Sequence, residues 1–394
     1  MAGMRDLALT GRRQLADKTL SPTPDLGYIS SHRERLAESG TILVNSITGL
    51  PAERSIRAFG PSAARFLQSP AKAAATRPWK LNLPNASEVV VAIPDIISNS
   101  YFPAIAAVEM GHFREQGVNA SIRLMAPVEQ SYAALRDGEV HFVAGSSHSM
   151  LSAFPNWQGG KLLCAQSQGL YWFLVMRADL NAKKGDIHIV KGKRIGAAPW
   201  VGMAFKYLLF HAGIDMEKDN VVVQPVASTV AANVNFGLAA AQALEAGEID
   251  GFWANGIGAE IAVRRGVGTI VLDVRRGDGP IGCFNYTMAS IATTDRLIRE
   301  APETAAAAVI AISRAQSALK ATPEVAFSIA EKFFPAAEAA MIVDVVRRDL
   351  PFYETAITPV AVAGMNQFAR HMGHLAVDVD YEDVVAPGFM HLWS

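Results

Sequence analysis

Between residues 88 and 292 short apolar runs alternate with amphipathic ones, a pattern that predicts strands separated by helices. The run 88–93, Glu-Val-Val-Val-Ala-Ile, reads as a buried strand. A polar turn at 94–101 leads to a helix at 102–116, which Gly117 ends, a second strand at 118–125 and a helix at 128–137. Further strands are expected at 162–165, 170–176, after Lys191-Gly-Lys-Arg, and at 221–226, 249–254, 267–273 and 284–290; helices are expected at 203–213 and 235–246. Residues 293–373 read as almost wholly helical, with Pro302 in the first turn of an Ala-rich helix. Strands alternating with helices of this length predict parallel sheets.

The stretch 135–148, Leu-Arg-Asp-Gly-Glu-Val-His-Phe-Val-Ala-Gly-Ser-Ser-His, organises the chain. A helix ends at Gly138, Val140, Phe142 and Val143 form a short buried strand, and Gly145-Ser146-Ser147 closes it and can cap a new helix near His148. The phrase returns at 244–255, Leu-Glu-Ala-Gly-Glu-Ile-Asp-Gly-Phe-Trp-Ala-Asn. Two copies imply two similar α/β lobes. The long apolar runs at 170–176 and 284–290 can cross between them. That gives a first lobe of 85–172 plus 284–394 and a second lobe of 173–283.

Residues 1–84 stand apart. They carry 12 Lys+Arg against 6 Asp+Glu and seven prolines, and only 41–50 is apolar enough to pack. They read as a weakly structured basic arm, with a helix expected at 51–69, and as dispensable for ligand binding. Their charge is too dilute for a nucleic-acid or membrane arm. The whole chain has net charge −1 and is 50% hydrophobic, which argues for a large core and against nucleic acid as a partner. No run approaches a membrane span. Arg12-Arg13 is not followed by an apolar stretch, and no secretory h-region is visible. Cys164 and Cys283 are the only cysteines and sit in apolar runs, as buried free thiols would.

Three segments carry a resemblance: Tyr101-Phe-Pro-Ala-Ile-Ala-Ala-Val-Glu-Met-Gly-His-Phe-Arg-Glu-Gln-Gly117-Val, the Gly-Glu-strand-Gly-Ser-Ser phrase, and Val190-Lys-Gly-Lys-Arg-Ile-Gly196 with the later Gly247-Glu-Ile-Asp250. Together they resemble the solute-binding proteins of nitrate, sulfonate and taurine ABC transporters and their relatives for thiamine pyrimidine precursors. The resemblance covers about 88–340. It implies an α/β, two-lobed type II periplasmic-binding-protein fold with a helical C-terminal section. It also implies a monomer that delivers a small molecule to a permease and an ATPase, with no cofactor. A periplasmic location follows from the family, while the missing signal leaves a cytoplasmic one open. The Cys-Cys-Cys-Phe-Cys motif of the pyrimidine-synthase relatives is absent.

In such a fold the ligand sits at strand carboxyl ends. Those ends offer Asn99, Ser100 and Tyr101; Ser146, Ser147 and His148; Trp172 on the crossing run; Trp200 and Gly202; and Trp253 and Asn255. Three of six tryptophans fall there, as the walls of a slot for a planar ligand would, although Trp172, Trp200 and Trp253 serve equally well as core fillers. No Arg or Lys is apparent at these ends apart from Lys206, so an anion would be held by hydroxyls and by backbone N–H groups, as at Ser147 and Gly202. No catalytic set stands out. His148 beside Ser147 lacks a Gly-x-Ser-x-Gly elbow, and Glu129 and Asp95, near suitable loops, are not compelling as an acid or base. His371-x-x-His374 with Asp378 and Asp380 resembles a metal cluster but reads better as a solvated helix end. Binding is therefore the leading expectation. An enzyme on the same scaffold (a decarboxylase or cofactor-precursor synthase) and a cytoplasmic ligand sensor remain the alternatives.

Overall fold

The computed structural model describes residues 88–96, 98–226 and 236–393. The basic arm, with its expected segments at 41–50 and 51–69, lies outside them. The described chain is mixed α/β, built on two five-stranded sheets. The first contains β1 (Val89–Ile93), β2 (Ala120–Leu124), β3 (Phe142–Ser146), β4 (Gly160–Ser167) and β10 (Ala289–Thr294), in the order β2-β1-β3-β10-β4. The second contains β5 (Phe173–Arg177), β6 (Arg194–Gly196), β7 (Val222–Gln224), β8 (Gly251–Ala254) and β9 (Gly268–Asp273), in the order β7-β6-β8-β5-β9.

The sequence echo is a structural equivalence. Gly138 (φ 77°) and Gly247 (φ 73°) both take the left-handed conformation that ends a helix. Helix α2 (Val128–Asp137) precedes β3, and α4 (Phe236–Glu245) precedes β8. Each strand then occupies the third position of its sheet and pairs in parallel with the second, Phe142 opposite Val91 and Gly251 opposite Ile195.

The sheets are not wholly parallel, and the reason lies in the crossings. Strand β5 runs antiparallel to β8 and β9, and β10 runs antiparallel to β3 and β4. Phe173 at the start of β5 faces Ala254 at the end of β8, and Ala289 at the start of β10 faces Ser146 at the end of β3. The chain thus leaves each sheet at its carboxyl edge and enters the other there. A strand entering at that edge can only run backwards. The crossing links are shorter on pairing than the sequence implied: 170–172 precede β5, and Cys283–Tyr286 is a 3₁₀ turn before β10.

The first link bends at Gly169, whose φ is 73° and whose missing Cβ would lie 2.4–2.7 Å from the Phe284 ring. Gly169→Ala combines a left-handed backbone with a clash, so we expect it to lower stability by about 2 kcal/mol. A urea midpoint unchanged by the substitution would show that the two crossing links do not pack this closely.

Beyond β10 the chain is helical, from α6 (Asp295–Glu300) through α7 (Pro302–Ala321), α8 (Val325–Ala330), α9 (Ala336–Asp349) and α10 (Pro359–His371) to α11 (Tyr381–Val384). The small side chains of Ala305, Ala308, Ala311 and Ala315 are fully buried in one core cluster with Phe102 and Ile105 of α1 (Phe102–Glu109), which lets α7 lie close against α1. The end of the chain closes on the first sheet, where the Trp393 indole donates to the Leu163 carbonyl at 2.9 Å.

Candidate functional site

The carboxyl ends of both sheets meet along one buried seam. After β1 the backbone turns into α1 with Pro103 in its first turn. Asn99, Ser100 and Tyr101 are all buried there. The Tyr353 hydroxyl donates to the Asn99 carbonyl at 2.6 Å, Ser100 Oγ donates to Asp349 at 3.2 Å, and the Tyr101 and Tyr171 hydroxyls share a hydrogen bond of 2.6 Å. Burial pushes both phenols well above their ordinary pKa, so they remain neutral donors.

After β3 a 3₁₀ stretch, Ser147–Ser152, replaces the expected α-helix. Ser146 Oγ bonds Ser149 Oγ, and Ser147 Oγ lies 2.9 Å from both the Met288 carbonyl and Ser290 Oγ. His148 is held at both ring nitrogens. Its Nε2 is 3.1 Å from the Trp200 carbonyl, and its Nδ1 is 2.9 Å from Thr287 Oγ1. A carbonyl only accepts, so Nε2 carries the proton and Nδ1 accepts from the threonine. Burial lowers the His148 pKa to about 4, which keeps the ring neutral at pH 7. Trp172, Trp200 and Phe368 surround this ring at centroid distances of 6.0, 5.9 and 5.1 Å.

Asn255 closes the other end of the seam. Its Oδ1 caps α5 (Gly256–Arg264) by accepting from the Gly258 N–H at 3.4 Å, and its Nδ2 donates to Asp95 after β1 at 3.2 Å. Asp95 also accepts from the Ser98 N–H. The fold therefore gathers Tyr101, Ser146, Ser147, His148, Trp172 and Trp200 at one end, and Asn99, Ser100 and Asn255 at the other. Trp253 is fully buried and stacked on Phe205 at 5.0 Å, in a core cluster that also holds Tyr101 and Trp172. Gly202 lies in the second turn of α3 (Pro199–His211).

Two expectations about anion binding change. The Gly202 N–H already donates to the Ala198 carbonyl at 2.6 Å, and the Ser147 N–H to the Met288 carbonyl at 2.9 Å. Neither is a free helix-start donor. Cationic groups are present instead. Arg275, just past the carboxyl end of β9, makes a bidentate pair with Asp349 at 2.6 and 3.0 Å and also donates to Ser167 Oγ at 3.1 Å. Both side chains of the pair are fully buried. Arg348, one residue earlier on α9, stacks its guanidinium 4.8 Å from the centre of the Phe173 ring. The strand-end rule could have found Arg275; nothing local marks Arg348 or Asp349.

The paired histidines are ring neighbours: His371 lies 4.4 Å from both Tyr207 and Phe210, and His374 stacks on Trp200 at 4.8 Å. Among the described residues no three His, Cys, Asp or Glu side chains converge as a metal site. No described helix is long and apolar enough to cross a membrane.

Residues 98–326 match the family described as NMT1/THI5 like, well over half the chain. The chain belongs to the NMT1/THI5-like family. Solved structures share the fold of this NMT1/THI5-like protein at low identity. The sulfonate ABC transporter periplasmic sulfonate-binding protein SsuA from Methylobacillus flagellatus KT, described as putative, aligns at 18% identity and TM-score 0.57, over 78% of this chain and 94% of that one. The periplasmic nitrate-binding protein NrtA from Synechocystis PCC 6803 aligns at 15% and 0.56, over 77% and 85%. The desulfurization enzyme DSZB aligns at 14% and 0.54, over 77% and 98%. No curated protein matches by sequence. The NMT1/THI5-like match takes in both strand-end clusters, but it ends before Arg348 and Asp349.

Proposed function

We propose that this protein is a solute-binding protein. It closes a lobe of residues 85–172 plus 284–394 and a lobe of 173–283 on a small, planar, anionic organic molecule, and presents that molecule to an ABC-transporter permease and ATPase in the periplasm. The observation that carries the reading is the seam itself. Strand ends of two equivalent sheets meet there and are bridged by polar contacts, among them Asn255 to Asp95, His148 to the Trp200 carbonyl and the buried Arg275–Asp349 pair. Such contacts can exchange for contacts to a ligand when the lobes open and close. The aromatic rings beside His148 supply flat walls.

The chemistry favours binding over turnover. His148 is neutral at pH 7, with both nitrogens engaged by protein. Burial raises the Cys164 thiol pKa far above neutrality and that of Cys283 to about 11, so neither thiol supplies a thiolate. The test is a thermal-shift screen of aliphatic and aromatic sulfonates and carboxylates, followed by mass spectrometry of the best ligand after incubation with stoichiometric protein. We expect stabilisation with the ligand recovered intact. Conversion of the ligand would make the protein an enzyme on this scaffold, and no stabilisation by any anion would overturn the reading.

A further inference from the structure

Beside the Arg275–Asp349 pair lies a second set of polar atoms that the protein leaves unused. Ser98 Oγ, Asn99 Nδ2, and Arg348 Nε and Nη2 are shielded from solvent and have no hydrogen-bond partner among the described residues. Ser98 and Asn99 are 1% and 2% exposed. Buried polar groups are ordinarily satisfied, so four orphans from neighbouring residues require an explanation.

Their arrangement supplies one. The guanidinium of Arg348 is fixed by its stack on Phe173 and by Nη1, which donates to Glu260 at 3.4 Å. Glu260 therefore takes one corner and leaves the Nε–Nη2 edge. Those two N–H groups are parallel and match the two oxygens of one oxyanion. The protein uses the same edge in this way elsewhere. Arg177 holds Asp179 by Nε and Nη2 at 2.8 and 3.1 Å, and Arg136 holds Asp137 by the same atoms at 2.9 and 3.1 Å. On Arg348 the edge is shielded from solvent and has no hydrogen-bond partner among the described residues.

Asn99 lies beside it. A Cβ on Gly256 would lie 2.9 Å from Arg348 Nη2 and 2.5 Å from Asn99 Oδ1, so the arginine edge and the oxygen branch of the Asn99 amide approach the same point, and the unpartnered Nδ2 is the other branch of that amide. That point is the first residue of α5, where the helix dipole favours negative charge. Glycine at 256 is what permits the approach. The local carboxylates are already engaged: Asp349 by Arg275 and Ser100, Glu260 by Arg264 and Arg348, and Asp95 by Asn255 and Ser98.

The geometry points to Arg348 and Asn99, at the N-terminus of α5, as the subsite that holds the oxyanion headgroup of the solute, a carboxylate or sulfonate bound bidentately. This rests on the solute-binding reading and names the ligand class for it. Arg348 lies beyond the segment that matches the family, so the headgroup contact comes from this chain's own helical section.

The test measures binding of benzoate, benzenesulfonate and neutral benzamide by calorimetry to the full chain. We expect the wild type to bind at least one anion, and benzamide at least tenfold more weakly. Arg348→Gln and Asn99→Ala should each weaken anion binding at least tenfold while leaving benzamide binding unchanged. Arg347→Gln removes the same charge from a side chain paired with Glu324 and Asp344 on the surface, and should leave anion binding as it was. If the anion binds Arg348→Gln and Asn99→Ala as tightly as wild type, the subsite is refuted and the solute-binding reading stands. Benzamide binding equal to that of the anions would refute the subsite in the same way. If Arg347→Gln weakens binding as much as Arg348→Gln, the effect is general charge and the subsite is refuted. If Arg348→Gln does not fold, Asn99→Ala alone decides. If the wild type binds none of the three probes, both readings fail for aromatic solutes.

Discussion

Asp349→Ala is expected to destabilise the protein by about 3–5 kcal/mol, among the largest effects of any single substitution at the seam. The Asp349 carboxylate is fully buried and accepts from Arg275 at 2.6 and 3.0 Å and from Ser100 at 3.2 Å. Removing it leaves a guanidinium of zero side-chain exposure with Ser167 Oγ and the faces of Phe352 and Phe173, 4.5 and 6.0 Å away, to replace water. An unpaired buried charge costs more than the pair contributes, because its desolvation is no longer offset. The double variant Arg275→Met, Asp349→Leu removes both charges and should cost less than Asp349→Ala alone. Urea unfolding at pH 7 compares the three chains. A double variant as unstable as the single one would show that shape, and not charge, sets the cost. The pair also joins distant parts of the chain: Arg275 follows β9, Asp349 ends α9, Ser100 lies in the turn between β1 and α1, and Ser167 ends β4. Its loss should therefore loosen the seam between the two sheets as well as lower overall stability.

How much of this was legible in the sequence depends on which force places each residue. Strands β1, β3, β8 and β9 were legible because a buried strand in an α/β sheet must be a continuous apolar run. The equivalence of β3 and β8 was legible because two glycines with positive φ stand at the same offset before them. The crossing links were harder. Leu170, Tyr171 and Trp172 read as strand because they are apolar and buried, yet packing and not pairing buries them. Phe284–Tyr286 misleads in the same way. At the seam, the strand-end rule reached Asn99, Ser146, His148 and Asn255 because chain direction alone fixes where those loops lie. It could not reach Arg348 or Asp349. Arg347-Arg348-Asp349 at the end of a helix reads as a solvated charged run, and only the fold shows that Arg347 faces water while Asp349 is fully enclosed.

His148 should make the protein acid-sensitive in a defined window. Its pKa falls from an ordinary 6.5 to about 4 in the folded chain, chiefly through burial, with a smaller contribution from His374 nearby and an opposing one from the Trp200 carbonyl. Between those values the unfolded chain binds a proton that the folded chain does not. The contribution of His148 to stability is thus fully present above pH 6.5 and is lost as pH falls towards 4. Linkage puts the loss between pH 7 and pH 4.5 at about 2.5 kcal/mol. His141 is shifted in the same direction, also to about 4, and would add to the total in wild type. His148→Gln separates the two, since glutamine can still donate towards the Trp200 carbonyl and accept from Thr287 but does not titrate. The stability difference between pH 7 and pH 4.5 should be about 2.5 kcal/mol smaller in His148→Gln than in wild type. Equal differences in the two proteins would mean that the His148 ring is solvated and titrates normally, and that the seam around it is open in solution. Protonation would also reverse the Nδ1 bond, so that Thr287 Oγ1 accepts from the ring and its own proton turns to the Met288 carbonyl, 3.4 Å away.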